Sequence, residues 1–212
     1  MDKPISWTYN EEFDKNGFFV IKKLCNPEFL HCKVPEENLK GKMLFYNLEN
    51  KFYTVKEEDQ VQGSISRYNF PDYFSAYHEI KSIIENFIGK KLNKTYYYDR
   101  FYFANQELTA HQDRPECEIS CTYHVSSNIK DSWDFKLISL TGEEKSISLS
   151  PGDALVYKGT ELIHWRDPLK SKYNKFERII RKILRKKDDT YYHQVFFHYV
   201  LQDGHFIQLA TK

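Results

Sequence analysis

Residues 151–169, PGDALVYKGTELIHWRDPL, decide how this 212-residue chain is read. Pro151-Gly152-Asp153 predicts a tight turn, ALVY a short apolar strand, KGTE a return, and LIHWR a second strand. Alternate side chains on a strand share a face, so His164 and Arg166 point the same way. Upstream, HQD at 111–113 closes an aromatic run, and the same alternation sets His111 beside Asp113. Two imidazoles and one carboxylate can converge on a single metal ion and leave its opposite positions open. That is the donor set of a non-haem Fe(II) site. An H-x-D tripeptide by itself is usually polar loop. Its weight here comes from the turn–strand–turn–strand unit that delivers a second His 53 residues after the first.

In this arrangement the chain resembles the 2-oxoglutarate- and Fe(II)-dependent dioxygenases, especially their small prolyl-4-hydroxylase-like branch, over about residues 95–200. The resemblance implies a double-stranded β-helix, a jelly roll of cupin-like kind, with His111, Asp113 and His164 as metal ligands. It implies Fe(II), 2-oxoglutarate and O2, with ascorbate as reductant. The reaction implied is hydroxylation of an unactivated C–H, coupled to decarboxylation of 2-oxoglutarate to succinate and CO2. A peptidyl or free amino acid such as proline is the implied substrate.

At one point the chain departs from the family. The usual cation for the far carboxylate of 2-oxoglutarate sits near the start of the last strand, where this chain has Thr190, Tyr191 and Tyr192. A dicarboxylate in a partly dry pocket needs a cation, and Arg offers a two-pronged one. Arg166, on the His164 face, is the first candidate and Arg100 its rival. Tyr102, nine residues before His111, matches a position where the family often has a carboxylate-binding Tyr. His124, in phase on a neighbouring strand, is a further candidate. The bland alternative for Arg166 is an ion pair with Asp153, Glu118 or Asp167.

Composition bounds the rest. The length suits a single domain, 1–212, with one adequate core. The net charge of +1, from 31 basic and 30 acidic residues, gives no overall field toward nucleic acid or acidic lipid. Aromatics make up 17% of the chain, which suits a β-rich fold with a broad pocket. Four cysteines without a C-x-x-C pair are expected as buried free thiols, with Cys117 and Cys121 on one strand face. The polar opening MDKPISWTYNEEF is no signal peptide, and no run reaches transmembrane length. A soluble cytoplasmic protein without a membrane partner is the expectation.

Along the chain, GFFVIKKL (17–24) predicts a first strand and NPEFLHCKV a short helix opening at Asn26-Pro27. FYNLENKFYTV predicts a strand pair turning at 47–50. PDYFSAYHEIKSIIENFIG (71–89) is the clearest helix, with Tyr77, Ile80, Ile84 and Phe87 as its stripe and Gly89 as C-cap. In KTYYYDRFYFA (94–104), Tyr96, Tyr98, Arg100 and Tyr102 form one face, and because that face leads into HQD it is expected to line a pocket. CEISCTYHV, a hairpin about Thr141-Gly142, and HQVFFHYVLQDG supply further strands. Together they predict a mainly β jelly roll with supporting N-terminal helices. One inserted helix, about 172–188, carries Phe176, Ile179, Ile180, Ile183 and Leu184 opposite a basic side. It is expected to pack its apolar stripe on the barrel, or to act as a lid beside the metal. His193, His198 and His205 are expected as ordinary core or surface residues.

Two other functions compete. An oxidative nucleic-acid demethylase shares core and size, but YYHQVFFHYV lacks the arginines that branch carries on its last strand, so nucleic acid is not the expected partner. A non-catalytic jelly roll holding metal only for stability is the other.

Overall fold

In a computed structural model, residues 9, 11–33, 43–46, 51–58 and 60–211 are described, with backbone alone at 43–46 and 51–58. The strands are β1 (Phe18–Ile21), β2 (Met43–Tyr46), β3 (Lys51–Glu58), β4 (Val61–Tyr68), β5 (Leu92–Phe103) and β6 (Leu108–His111). They continue with β7 (Ile119–Ser127), β8 (Phe135–Ile138), β9 (Glu144–Ile147), β10 (Ala154–Lys158), β11 (His164–Arg166) and β12 (Tyr191–Leu201). Three α-helices accompany them: α1 (Glu12–Asn16), α2 (Phe74–Ile88) and α3 (Lys175–Ile183).

The strands form an eight-stranded sheet, ordered β1-β10-β7-β12-β5-β4-β3-β2, and a four-stranded sheet, β6-β11-β8-β9. Every pairing is antiparallel. Phe135, Leu137 and Ile147 of the small sheet pack against Leu155 and Tyr157 of the large one, so the sheets face each other across a core. On the outer face of the large sheet, Tyr77, Ile80 and Ile84 of α2 pack with Tyr97, Phe197 and Tyr199. Gly89 ends α2 in the left-handed region at φ 65°, as the C-cap reading predicts. The jelly roll and its bracing helix are as the sequence implies.

The turn at Gly152 also matches, with φ 96° and Asp153 at its corner. The Asp153 carboxylate accepts from the backbone N–H of Ser150 (3.0 Å) and Lys23 (3.1 Å) and from Lys22 Nζ (2.8 Å). It pins the entry to β10 against the chain after β1. The predicted helix at Asn26-Pro27 is a single 3-10 turn, Pro27–Phe29, capped by the Asn26 side chain. The turn at 47–50 lies outside the described residues.

Two expectations are corrected. Cys117 is not on the strand face of Cys121, because Pro115–Cys117 forms a 3-10 turn and β7 begins only at Ile119. Pro115 fixes that turn, and the extra curl takes Cys117 into the space between the sheets while Cys121 joins the outer core. The inserted helix is the second. Phe176, Ile179, Ile180, Ile183 and Leu184 of and just after α3 are all exposed, so its stripe does not pack on the barrel. Glu177 and Arg181 are its partly covered residues. No described helix is long and apolar enough to cross a membrane.

Candidate active site

The two sheets leave a cavity of about 510 Å³ between them, walled by Tyr96, Tyr98, Arg100 and Tyr102 of β5 and by Phe196 and His198 of β12. The same cavity holds His111, Asp113 and His164. The β5 face singled out by its alternation is therefore the pocket wall. Antiparallel pairing of β6 with β11 sets His111 directly opposite His164, and their ring centroids are 4.3 Å apart. Asp113 follows two residues past His111. Its Oδ1 lies 3.6 Å from His111 Nε2 and 3.5 Å from His164 Nε2.

Hydrogen bonds on the far side of each ring decide which nitrogen is free. His111 Nδ1 lies 2.7 Å from the Thr109 carbonyl, and His164 Nδ1 lies 2.9 Å from that of Leu162. A carbonyl can only accept, so each Nδ1 carries a proton and Nε2 is the nitrogen that each ring presents toward Asp113. Such outer contacts fix the tautomer and aim of metal-binding imidazoles. Two imidazoles and one carboxylate, with ligand atoms within 4.8 Å of one another, fit a divalent first-row ion such as Fe(II). Burial pushes the Asp113 carboxyl up, and the two imidazoles outweigh it and hold the group well below its ordinary value.

Residues that sequence reasoning passed over complete the setting. Ser120 Oγ donates to Asp113 Oδ2 at 2.8 Å and has one proton to give. Its oxygen is then free to accept from His198 Nδ1 at 3.0 Å. His198 is thus part of the cavity wall, with a buried Nε2 that has no partner among the described residues. Burial drives its imidazole down to about 4, which keeps it neutral. Its phase with Phe196 on β12 was the available signal. Gly159 is the second omission. A Cβ there would fall inside contact distance of the Cys117 carbonyl, Asp113 Oδ2 and Ser120 Oγ, while its own carbonyl accepts from Asp113 N at 2.9 Å.

The candidates for the carboxylate of 2-oxoglutarate divide. Arg100 and Tyr102 stand in the cavity wall, with Arg100 Nη1 donating to Tyr102 Oη at 3.2 Å and Nε to Ser66 Oγ at 3.2 Å. Arg166 is buried among Trp133, Phe135 and Tyr192, behind that wall. One of its nitrogens donates to the Trp133 carbonyl; Nε and Nη2 have no partner among the described residues. The suspected ion pairs do not form. Asp167 takes Lys136, Asp153 takes Lys22, and Glu118 accepts from Leu201 N. His124 stacks on Tyr192 at 4.0 Å, and its Nδ1–H is given to the Leu149 carbonyl at 2.8 Å. Its remaining nitrogen is an acceptor, unsuited to a carboxylate. Every residue of 170–189 is outside the cavity wall, so that segment is not a lid over His111, Asp113 and His164.

A second group of potential ligands, Cys32, Asp99 and His193, lies on the outer face of the large sheet. Arg67 fills it, ion-paired to Asp99. A cation is already in place there.

No protein-family profile and no curated protein matches the sequence. Solved structures do match the fold, prolyl hydroxylases and a 2-oxoglutarate-bound protein among them. A prolyl-4-hydroxylase from Pseudomonas putida superposes with a TM-score of 0.57 at 10% identity, over 89% of this chain and 95% of that one. A prolyl hydroxylase from Trichoplax adhaerens, solved with a hypoxia-inducible-factor degradation-domain peptide, gives 0.57 at 12%, over 95% and 90%. HygX from Streptomyces hygroscopicus, solved with nickel, 2-oxoglutarate and hygromycin B, gives 0.55 at 10%, over 88% and 84%. At such identities the likeness is one of fold, and the jelly roll implied by the sequence is the fold of these enzymes.

Proposed function

We propose that the protein is an Fe(II)- and 2-oxoglutarate-dependent oxygenase, with His111, Asp113 and His164 as the metal ligands. The observation that carries this reading is the convergence of two imidazole Nε2 atoms and Asp113 Oδ1 inside a cavity between the sheets. When bound, the metal with 2-oxoglutarate and O2 supplies the oxidative decarboxylation that drives C–H hydroxylation, with succinate and CO2 as products, and ascorbate is the proposed reductant. The protein's own part is to bind, aim and keep water out. Ser120 and His198 hold the Asp113 carboxylate in one orientation.

Arg166 is proposed as the cation for the far carboxylate. Its two unpartnered nitrogens are open donors in the interior, and a fully buried guanidinium with no carboxylate hydrogen-bonded to it among the described residues is costly. Arg100, whose bonded nitrogens already serve Ser66 and Tyr102, is the second choice. Tyr102 Oη, in the wall between them, is placed to add a donor.

The proposed prime substrate is a peptidyl or free amino acid of prolyl type. Tyr68, Tyr96 and Tyr98 form a stacked aromatic wall, with Tyr68 and Tyr98 centroids 4.8 Å apart, suited to a small saturated ring. A nucleic-acid demethylase is disfavoured by the inward face of β12, which is Tyr192, Gln194, Phe196 and His198 and offers no arginine to phosphate.

Succinate formation from 2-oxoglutarate with Fe(II) and ascorbate tests the class, and a screen of proline peptides against methylated oligonucleotides tests the substrate. Asp113→Ala is expected to abolish both iron binding and succinate formation. Wild-type turnover in that variant would refute the ligand assignment, because a charged ligand cannot be lost silently.

A further inference from the structure

The helix α3 is held the wrong way round for a core element. Its capping box is complete, with Asn174 Oδ1 accepting from Glu177 N at 2.9 Å and Glu177 Oε2 accepting from Asn174 N at 2.8 Å. Glu177 and Arg181, one turn apart, form its partly covered side. Arg181 lies over the Tyr173 ring at 4.1 Å and reaches Asp189 at 3.3 Å, while Tyr173 Oη and Lys172 Nζ also bind Asp189. With that side moored, the opposite side points outward, and it is the apolar one. Phe176 is 70% exposed and Ile183 74% exposed, with Ile179 between them. Lys175 and Lys182 border the stripe along one edge.

The charge of the whole chain conceals what surrounds this stripe. Residues 170–187 contain nine of the 31 basic residues and one of the 30 acidic ones, a local charge of +8 that leaves −7 on the rest. The expectation of no membrane partner rested on the balanced total, and the total is an average over two unlike parts.

We propose that α3 is a docking surface for an anionic lipid bilayer, lying in the interface with Phe176, Ile179 and Ile183 inserted among the acyl chains. A short helix with an apolar stripe and a basic remainder is the chemistry such surfaces take. Two observations favour a bilayer over other anionic partners. The Glu177–Arg181 side is already engaged by Tyr173, Asn174 and Asp189 at the two ends of the insertion, so one face is available, which a flat surface can use and an enclosing protein groove cannot. The outward centre is apolar, with the bases at its border, whereas a nucleic acid would need the bases at the centre of contact. The −7 carried elsewhere is repelled by the same surface, which orients the molecule with α3 toward it. No wall residue of the cavity comes from 170–189, so docking leaves the cavity open.

The test is co-sedimentation of the full chain with vesicles of phosphatidylcholine, with and without phosphatidylserine, across a range of salt. Binding is expected with phosphatidylserine, weakened by salt, and not with phosphatidylcholine alone. Phe176→Ser and Ile183→Ser are each expected to weaken it at least about tenfold. Lys175→Glu with Lys182→Glu should weaken it mainly at low salt. All these positions are exposed, so the variants should keep the wild-type melting temperature, which separates lost docking from lost folding. No binding to phosphatidylserine vesicles at low salt would overturn the proposal. So would wild-type binding by the two serine variants, or a dimer in solution that Phe176→Ser dissociates, since the stripe would then belong to a second copy.

Discussion

Asp113 has little room to move aside. Its Oδ1 faces both imidazoles, its Oδ2 accepts from Ser120, and beneath it Gly159 leaves a gap only hydrogen can fill. Gly159→Ala would drive a methyl group into the Cys117 carbonyl, which is backbone and cannot swing away. The Asp113–Gly159 backbone bond must then open and the carboxylate shift. We expect Gly159→Ala to lower iron affinity about ten- to a hundred-fold, as disturbed supporting contacts at metal sites do, read by titrating the chelated protein with Fe(II) under anaerobic conditions. Unchanged affinity would mean the loop gives way elsewhere. The grouping of the proposed ligands was anticipated in two ways: spacing over two residues set His111 beside Asp113, and the family resemblance supplied His164, which β6–β11 pairing places opposite His111. Gly159, Ser120 and His198 were not, because each meets Asp113 only after β6, β7 and β12 and the loop after β10 are assembled. Spacing alone read Arg166 as a face-mate of His164, but β11 bulges between the two and Arg166 lies behind the cavity wall; whether it was paired depended on where Asp153, Glu118 and Asp167 went, and each went elsewhere. Removing two open charge-assisted donors should cost about 1.5–3 kcal/mol or more. Arg166→Ala is thus expected to raise the 2-oxoglutarate requirement roughly ten- to a hundred-fold while iron still binds. An unchanged requirement there, with a raised one in Arg100→Ala, would move the carboxylate to the cavity-wall cation.

At the scale of elements, periodicity reports that a segment has an apolar side but not which neighbour covers it. For α2 the two coincide. Its stripe of Tyr77, Ile80 and Ile84 is covered by the outer face of the large sheet, whose own outward residues Tyr97, Phe197 and Tyr199 are apolar and need a cover. For α3 they part company. The two ends of the insertion offer Tyr173 and Asp189, an aromatic ring and a carboxylate, and these bind Arg181 better than they bind isoleucine. Helical spacing could predict that α3 forms, and did; only the identity of its neighbours could say which side faces in. The same limit applies to β5. Alternation separated Tyr96, Tyr98, Arg100 and Tyr102 from Tyr97 and Phe101, and the lead into HQD assigned the first set to the cavity. It gave no hint that Asp99 and its outer-face neighbours would bury a second polar cluster with Arg67, Tyr73 and His193, since those partners come from β4, the turn before α2, and β12.

Over the whole molecule, buried ionisable groups set how stability responds to acid, and two of them separate cleanly along the pH axis. Burial pushes the Asp99 carboxyl up, but Arg67 and His193 pull it further the other way, to about 2. Its folded value is below the ordinary one of 3.8, so its contribution is present above about pH 4 and is lost as pH falls toward 2. His124 acts earlier. Burial between the sheets lowers its imidazole from 6.5 to about 4, the Leu149 carbonyl opposes this, and Arg166 adds to the lowering. Between those values the unfolded chain binds a proton that the folded chain refuses. Stability from this residue is therefore intact above about pH 6.5 and falls as pH drops, with roughly 3 kcal/mol gone by pH 4. Asp99 contributes almost nothing to the loss in that interval. Gln in place of His124 keeps an N–H for the Leu149 carbonyl and cannot titrate. Urea unfolding of the chelated protein from pH 7 to 4.5 should then fall less steeply for His124→Gln than for wild type, by the slope of about one proton. Parallel curves would mean that His124 takes up its proton inside the fold, which its burial and the nearby Arg166 guanidinium both oppose.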